Sequence, residues 1–182
     1  MTYYGGQELA AAFRTVRKNT ILIAEEIPEE KYGFKAAPET RSVAETLVHI
    51  ALSPTFARHI HGNKIDDLKN VDFSDLMQTF NIEQAKPRTK AEVVSLLAAE
   101  GESFAALLEG LEESFLAEHV KMMPGLEPAT KSRFELLLGV KEHEMHHRAQ
   151  LMVVERMIGI VPHLTRERQE RMAQMQAAQA QR

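Results

Sequence analysis

Three of the chain's eight histidines fall within five residues, in the stretch Lys141-Glu142-His143-Glu144-Met145-His146-His147-Arg148-Ala149-Gln150. The surrounding run from Thr130 to Ile160 has no proline and, before Gly159, a single glycine, so it predicts one long helix. On a helix His143 and His147 are four residues apart and share a face, with Cβ atoms roughly 5–6 Å apart. Two imidazoles so placed can reach one cation. The chemistry this suggests is a divalent-metal site: imidazole suits zinc, nickel, copper and iron, and three protein ligands leave a position open for water or substrate. A buried imidazole without a partner costs roughly 1–3 kcal/mol, and a bound cation removes that cost. Spacing alone leaves a plainer alternative open, in which the pair are ordinary histidines satisfied by a carbonyl or a glutamate.

A helical wheel at roughly 100° per residue sharpens the expectation. Leu136, Val140, His143, His147, Leu151, Val154 and Ile158 fall in one sector and are expected to face the core. His146 lies toward its edge, and Glu144 and Arg148 are expected to point away. The stretch fits His-Glu-x-x-His literally, but the wheel turns Glu144 from His143. No third ligand follows within the helix, since His163 comes after its end. A zincin-like role for Glu144 is therefore not expected. The third ligand must come from another element, and His49, in the middle of the most apolar helix, is the candidate.

The elements that would position these groups are helical throughout, with no competing strand pattern and no internal repeat. Gln7–Ile27 carries an apolar seam of Leu9, Phe13, Val16, Ile23 and Ile27, with Thr20 in the remaining seam position, and Pro28 ends it. Residues 28–41 read as a loop whose Tyr32 and Phe34 plug the bundle end. Ser42 with Glu45 forms a capping box for a second helix that is apolar almost all round to Ala57, with a kink expected at Pro54. His59 and His61 fall near its polar end. Residues 62–88 are expected to be irregular, with a short helix near Phe73–Phe80. Their aspartates read as solvated charges and caps, because the spacing does not match a calcium loop. Thr89 and Glu92 box the third helix, which runs to about Leu111, and a short helix is expected around Glu113–His119. Four long amphipathic helices imply an all-α four-helix bundle. Residues 1–164 form the expected bundle domain, and 165–182 a polar tail, helical or disordered.

Composition narrows the function classes. A net charge of -4 gives no electrostatic case for nucleic-acid binding, and the absence of cysteine removes disulfides, thiolate ligands and a cysteine nucleophile. No segment approaches a membrane span, and the N-terminus has no signal-peptide pattern, so a cytoplasmic protein is expected.

Three segments carry a resemblance: Ser42-Val43-Ala44-Glu45-Thr46-Leu47-Val48-His49-Ile50-Ala51, His143-Glu144-Met145-His146-His147-Arg148-Ala149-Gln150-Leu151, and Gly159-Ile160-Val161-Pro162. With them the chain resembles the DinB/YfiT-like (damage-inducible) superfamily of metal-binding four-helix bundles, from the first helix to Pro162. The resemblance implies up-down-down-up connectivity and a divalent cation held by His49, His143 and His147. Zinc or nickel is the first choice, with iron or manganese as alternates. It also implies a homodimer, and a metal-dependent thiol S-transferase acting with a low-molecular-weight thiol on a small electrophilic substrate. A metal-assisted hydrolase is the alternative, and a non-enzymatic stress-response or scaffold dimer is the rival class. His146 and Gln150 are the candidates for orienting the ligands from outside, with groove or surface hydrogen bonding as their plainer role.

Overall fold

In the computed structural model, which describes residues 4–180, four helical rods pack side by side. The first is α1 (Gly6–Glu26), whose buried Leu9, Phe13, Val16, Thr20 and Ile23 follow the expected seam. The second is α2 (Val43–Leu52) and α3 (Pro54–Gly62), joined through Ser53, which keeps helical dihedrals. Next come α4 (Phe73–Gln84) and the third rod, α5 (Lys90–Glu109). The short α6 (Glu113–Ala117), strand β1 (His119–Lys121) and strand β2 (Thr130–Ser132) lead to the fourth rod, α7 (Arg133–Met157), and α8 (His163–Ala180) follows it. Capping boxes start α2 at Ser42/Glu45, α5 at Thr89/Glu92 and α7 at Ser132/Glu135. Among the described residues no helix is long and apolar enough to cross a membrane.

Specific contacts set the directions. Phe13 stacks edge-on against Phe104 at 5.0 Å, and the Lys90 ammonium at the start of α5 binds the carbonyls of Glu25 and Ile27 at the end of α1. α1 and α5 are therefore antiparallel. Val48 and Val93 line one surface cleft near the starts of α2 and α5, while Arg58 on α3 reaches Glu100 and Ser103 further along α5. The second rod thus runs parallel to α5. Tyr4 meets Phe134, and further along Arg17 meets Glu144, so α7 runs parallel to α1. The result is the expected up-down-down-up bundle.

Three expectations are corrected. Two strands do form: β1 and β2 pair antiparallel, His119 with Ser132 through Lys121 with Thr130, so α7 begins at Arg133 rather than Thr130. His61, expected near a polar end, is buried. Glu144, expected to point away, is 1% exposed, and Arg148 is half-buried. The buried face of α7 is Arg133, Leu137, Glu144, His147, Leu151 and Glu155. On the wheel its centre is rotated by about 50° from the predicted sector. His147 lies at the flank of that face and His143 just outside it.

Glu144 is buried because Arg17 comes to it. The Arg17 guanidinium binds both carboxylate oxygens, at 2.9–3.1 Å, and the Thr20 hydroxyl donates to Oε1 at 2.8 Å. Arg17 also donates to the carbonyls of Leu97 on α5 and Ile50 on α2, so one side chain ties all four rods. The Ile50 carbonyl is free to accept because Pro54, four residues on, has no N–H to offer it; Ser53 Oγ supplies a second donor at 3.0 Å. Gly101 makes room for the crossing: a Cβ there would stand 2.6 Å from Arg17 Cγ.

At the far end of α7 a different buried acid has no such partner. Glu155 is fully buried, and neither carboxylate oxygen has a hydrogen bond among the described residues. Burial, then the nearby Glu26 charge, pushes its pKa up to about 7, against smaller opposing effects of Arg166 and Arg156. A carboxyl whose pKa is raised by folding stabilises most below its unfolded value, 4.5, and that contribution is lost as pH rises through about 7. The difference in urea-denaturation stability between wild type and Glu155→Gln is expected to fall across this window by at most about 1.4 kcal/mol per pH unit. That difference isolates Glu155 from His49, His61 and His143, whose lowered pKa values act in the opposite direction.

Candidate functional site

α2 and α7 run antiparallel and bring His49 against His143 and His147. His49 Nε2 and His147 Nε2 each lie 3.2 Å from His143 Nε2, and one ligand atom from each of the three rings falls within 4.8 Å of the others. Two nitrogens at about 2.0–2.1 Å from a tetrahedral zinc stand roughly 3.3 Å apart, close to what the rings already show.

The outer nitrogens decide which way the lone pairs point. His49 Nδ1 lies 3.1 Å from Gln84 Oε1, and His147 Nδ1 lies 2.8 Å from Gln150 Oε1. A carboxamide oxygen only accepts, so both Nδ1 atoms carry the proton and both Nε2 atoms present lone pairs inward. His143 Nε2 sits between them, while its Nδ1 is buried without a partner. Neutral imidazoles are what a cation needs, and all three pKa values are lowered. Burial, then the Arg41 charge, takes His49 down to about 4 against the opposing Gln84 bond. Burial, then the neighbouring histidines, takes His143 down to about 4. Burial also lowers His147, against the opposing Gln150 bond. Converging lone pairs, fixed tautomers and suppressed protonation fit a divalent cation.

The residues around the triad divide into those the sequence suggested and those it hid. Gln150 meets the His147 ring, and its Nε2 lies 3.1 Å from His146 Nε2; the exposed His146 also packs edge-on against His147, with ring centroids 5.1 Å apart. Gln84 was not foreseen, because it ends a helix in a segment that reads as irregular. Arg41 was not foreseen either. It has no ion-pair partner among the described residues and lines cavities on both sides of the histidines. Glu144 lies on α7 beside the triad but is committed to Arg17 and Thr20, which removes it as a general base there. Either Gln84→Ala or Gln150→Ala is expected to weaken cation binding 10- to 100-fold, as loss of a partner to a ligating imidazole does. Competitive titration against a chromophoric chelator measures this.

Two cavities flank the triad. One, about 400 Å³, touches His49 and His143 and extends along α3, α4 and α7 between apolar walls that include Phe56, Ile60, Phe80, Leu136 and Val140. The other, about 640 Å³, touches His147 and Gln150 and is more polar, with Glu39, Thr40 and Arg41 from the loop before α2. Three imidazoles between two separate spaces can present one cation to two molecules.

The family model described as the DinB superfamily matches residues 12–151. The chain is 26% identical over 152 residues to the uncharacterized protein YjoA of Bacillus subtilis, covering 84% of this chain and 90% of that protein. The crystal structure of the DinB-like YjoA aligns with a TM-score of 0.61 at 25% identity, over 84% of this chain and 92% of that one. YfiT from Bacillus subtilis, described as a probable metal-dependent hydrolase with an unusual four-helix bundle topology, aligns with a TM-score of 0.67 at 12% identity, over 88% of this chain and 91% of its own. At that identity the likeness to YfiT concerns the fold.

Proposed function

The chain belongs to the DinB superfamily, and from that premise we propose that it is a metal-dependent thiol S-transferase for small molecules, with His49, His143 and His147 holding one divalent cation, zinc or nickel first. The observation that carries the reading is the convergence of three imidazole Nε2 atoms, two of them with lone pairs fixed inward, between two cavities of different character. A cation held there supplies the Lewis acidity that makes a thiol nucleophilic at neutral pH. Every other part is played by the chain. Gln84 and Gln150 hold the outer rings so that their lone pairs stay inward. The polar cavity, with Arg41 at its wall and no ion-pair partner to it among the described residues, suits a low-molecular-weight thiol bearing carboxylates. The apolar cavity suits a compact electrophile.

Hydrolysis is the second reading, favoured by the description of YfiT as a probable metal-dependent hydrolase. One experiment separates the two. Untagged protein is analysed for bound metal, then offered glutathione, bacillithiol or mycothiol with a panel of aryl and alkyl halides and epoxides, and in parallel a panel of esters and amides without thiol. Metal-dependent conjugation supports transfer. Metal-dependent cleavage without thiol supports hydrolysis. A metal-loaded protein that does neither supports a non-enzymatic binding role.

A further inference from the structure

His61 has no part in the triad, yet it lines the same apolar cavity as His49 and His143. It sits on α3, twelve residues beyond His49 along the second rod, at the other end of the cavity. The wall on α7 runs from His143 to Leu136, about 10 Å of helix. His61 is only 3% exposed, so its ring is held in place.

What holds it also determines which nitrogen carries the proton. Arg133 Nη1 lies 3.4 Å from His61 Nδ1. Arg133 is itself buried and fixed: it donates to the carbonyls of Lys64 and Ile65 and to the Glu118 carboxylate, and it stacks over Phe115 at 4.5 Å. A guanidinium only donates, so Nδ1 must offer its lone pair and the proton resides on Nε2, the opposite corner of the ring. Burial, then the Arg133 charge, holds the His61 pKa down to about 4, so the ring is a neutral donor at pH 7. No protein group among the described residues accepts from that Nε2.

A second feature of the same wall points to an occupant. Gly139 lies in the interior of α7, where glycine is a poor helix former. Nothing stands within 4 Å of the position its Cβ would take, so no neighbouring atom requires the glycine. It lines the cavity, and what its missing side chain preserves is space. A fixed neutral donor and a wall kept open, in a cavity whose only charged lining residue among the described residues is Arg41, describe a site for a ligand that is mostly apolar and carries an acceptor.

We propose that His61 is the specificity-determining residue of this cavity: its Nε2–H donates to the carbonyl-type oxygen of a compact, apolar ligand whose opposite end reaches His49 and His143. The proposal rests on the reading of this cavity as the substrate space. Among the electrophiles of the proposed function it favours those that also carry a carbonyl-type oxygen, over hydrocarbons and simple halides of the same shape.

The test uses the full chain labelled with ¹⁵N-histidine and two probes of nearly equal shape, acetophenone and α-methylstyrene, which differ by an oxygen for a methylene. Long-range ¹H–¹⁵N correlation spectra are expected to show His61 as the Nε2–H tautomer. Acetophenone is expected to shift that nitrogen and to bind about tenfold more tightly than α-methylstyrene, the difference made by one hydrogen bond. His61→Phe should equalise the two affinities, and His61→Gln, which keeps a donor, should restore the preference if the Phe variant fails to fold. Gly139→Leu should exclude both probes. An Nδ1–H tautomer, equal binding of the two probes by the wild type, or binding of neither at millimolar concentration overturns the proposal. Zinc content measured on the same samples keeps the two readings apart. Loss of the acceptor preference in zinc-loaded protein fails His61 alone, whereas the preference in protein that takes up no zinc fails the metal reading alone.

Discussion

Untagged wild-type protein is expected to carry one divalent ion per chain, and His147→Ala is expected to carry none at stoichiometric level. The size of the effect follows from the ligand count. Three imidazoles are the minimum that open sites of this kind use, and deleting one leaves two nitrogens on a surface that water reaches from two cavities. Loss of an outer partner such as Gln150 is worth 10- to 100-fold in affinity, so loss of a ligand should exceed about 100-fold. Any metal-dependent conjugation or cleavage should vanish with it. The fold should persist, because Leu9, Phe13, Leu47, Leu97, Phe104 and Leu151 are buried without help from the site. Thermal melts of wild type with and without chelator should therefore differ only by the binding free energy of the ion, and the apo-protein should still melt cooperatively. A His147→Ala protein with an undiminished ion, or a wild type with none under metal-replete growth, would sink the assignment. Collapse of the apo-protein would instead make the ion structural.

The largest effect on stability is expected inside the bundle. Arg17→Met should cost about 3–5 kcal/mol, because it leaves the Glu144 carboxylate buried and unpaired, out of a margin of roughly 5–15 kcal/mol. Glu144→Leu should cost a similar amount by stranding the guanidinium, which is 4% exposed. The double variant should recover most of the loss, since a buried ion pair replaced by apolar groups is often neutral or better. Recovery will be incomplete to the extent that the Ile50 carbonyl keeps only Ser53 Oγ as a donor. Urea denaturation of the four proteins closes the double-mutant cycle, and a coupling below about 1 kcal/mol would refute this account of the pair. Metal content should be unchanged in the double variant, because neither residue touches the triad.

The two sites differ in how far the sequence exposed them. His49, His143 and His147 were legible because an i, i+4 pair survives any error in wheel phase: both rings move together, and a rotation of about 50° still leaves them at a buried edge. Glu144 did not survive it. A lone carboxylate among apolar neighbours reads as outward unless its partner is known, and Arg17 lies 127 residues away on a helix whose seam accounts for itself without it. His61 and Gln84 were hidden for the same reason: Arg133 and His49 reach them across rods. The three-residue strands escaped because a pairing so short leaves no period to detect. Local signals fared better. Ser42/Glu45 and Thr89/Glu92 cap where expected, and Pro54 divides its rod where its missing N–H requires.

One feature of the fold bears on how such a protein changes over time. α4 contributes Met77, Phe80, Asn81 and Gln84 to the apolar cavity, yet Phe80 is its one buried residue. The rods are locked together by Arg17 without reference to α4. Substitutions along its inner face, Phe80 apart because it packs in the core and edge-on against His49, can therefore alter which molecules fit while leaving both the scaffold and the histidines intact. Selection for a new substrate would find its cheapest variation there, and a directed-evolution library confined to residues 73–83 other than Phe80 should yield altered specificity at a far higher frequency of folded clones than one spread over α7.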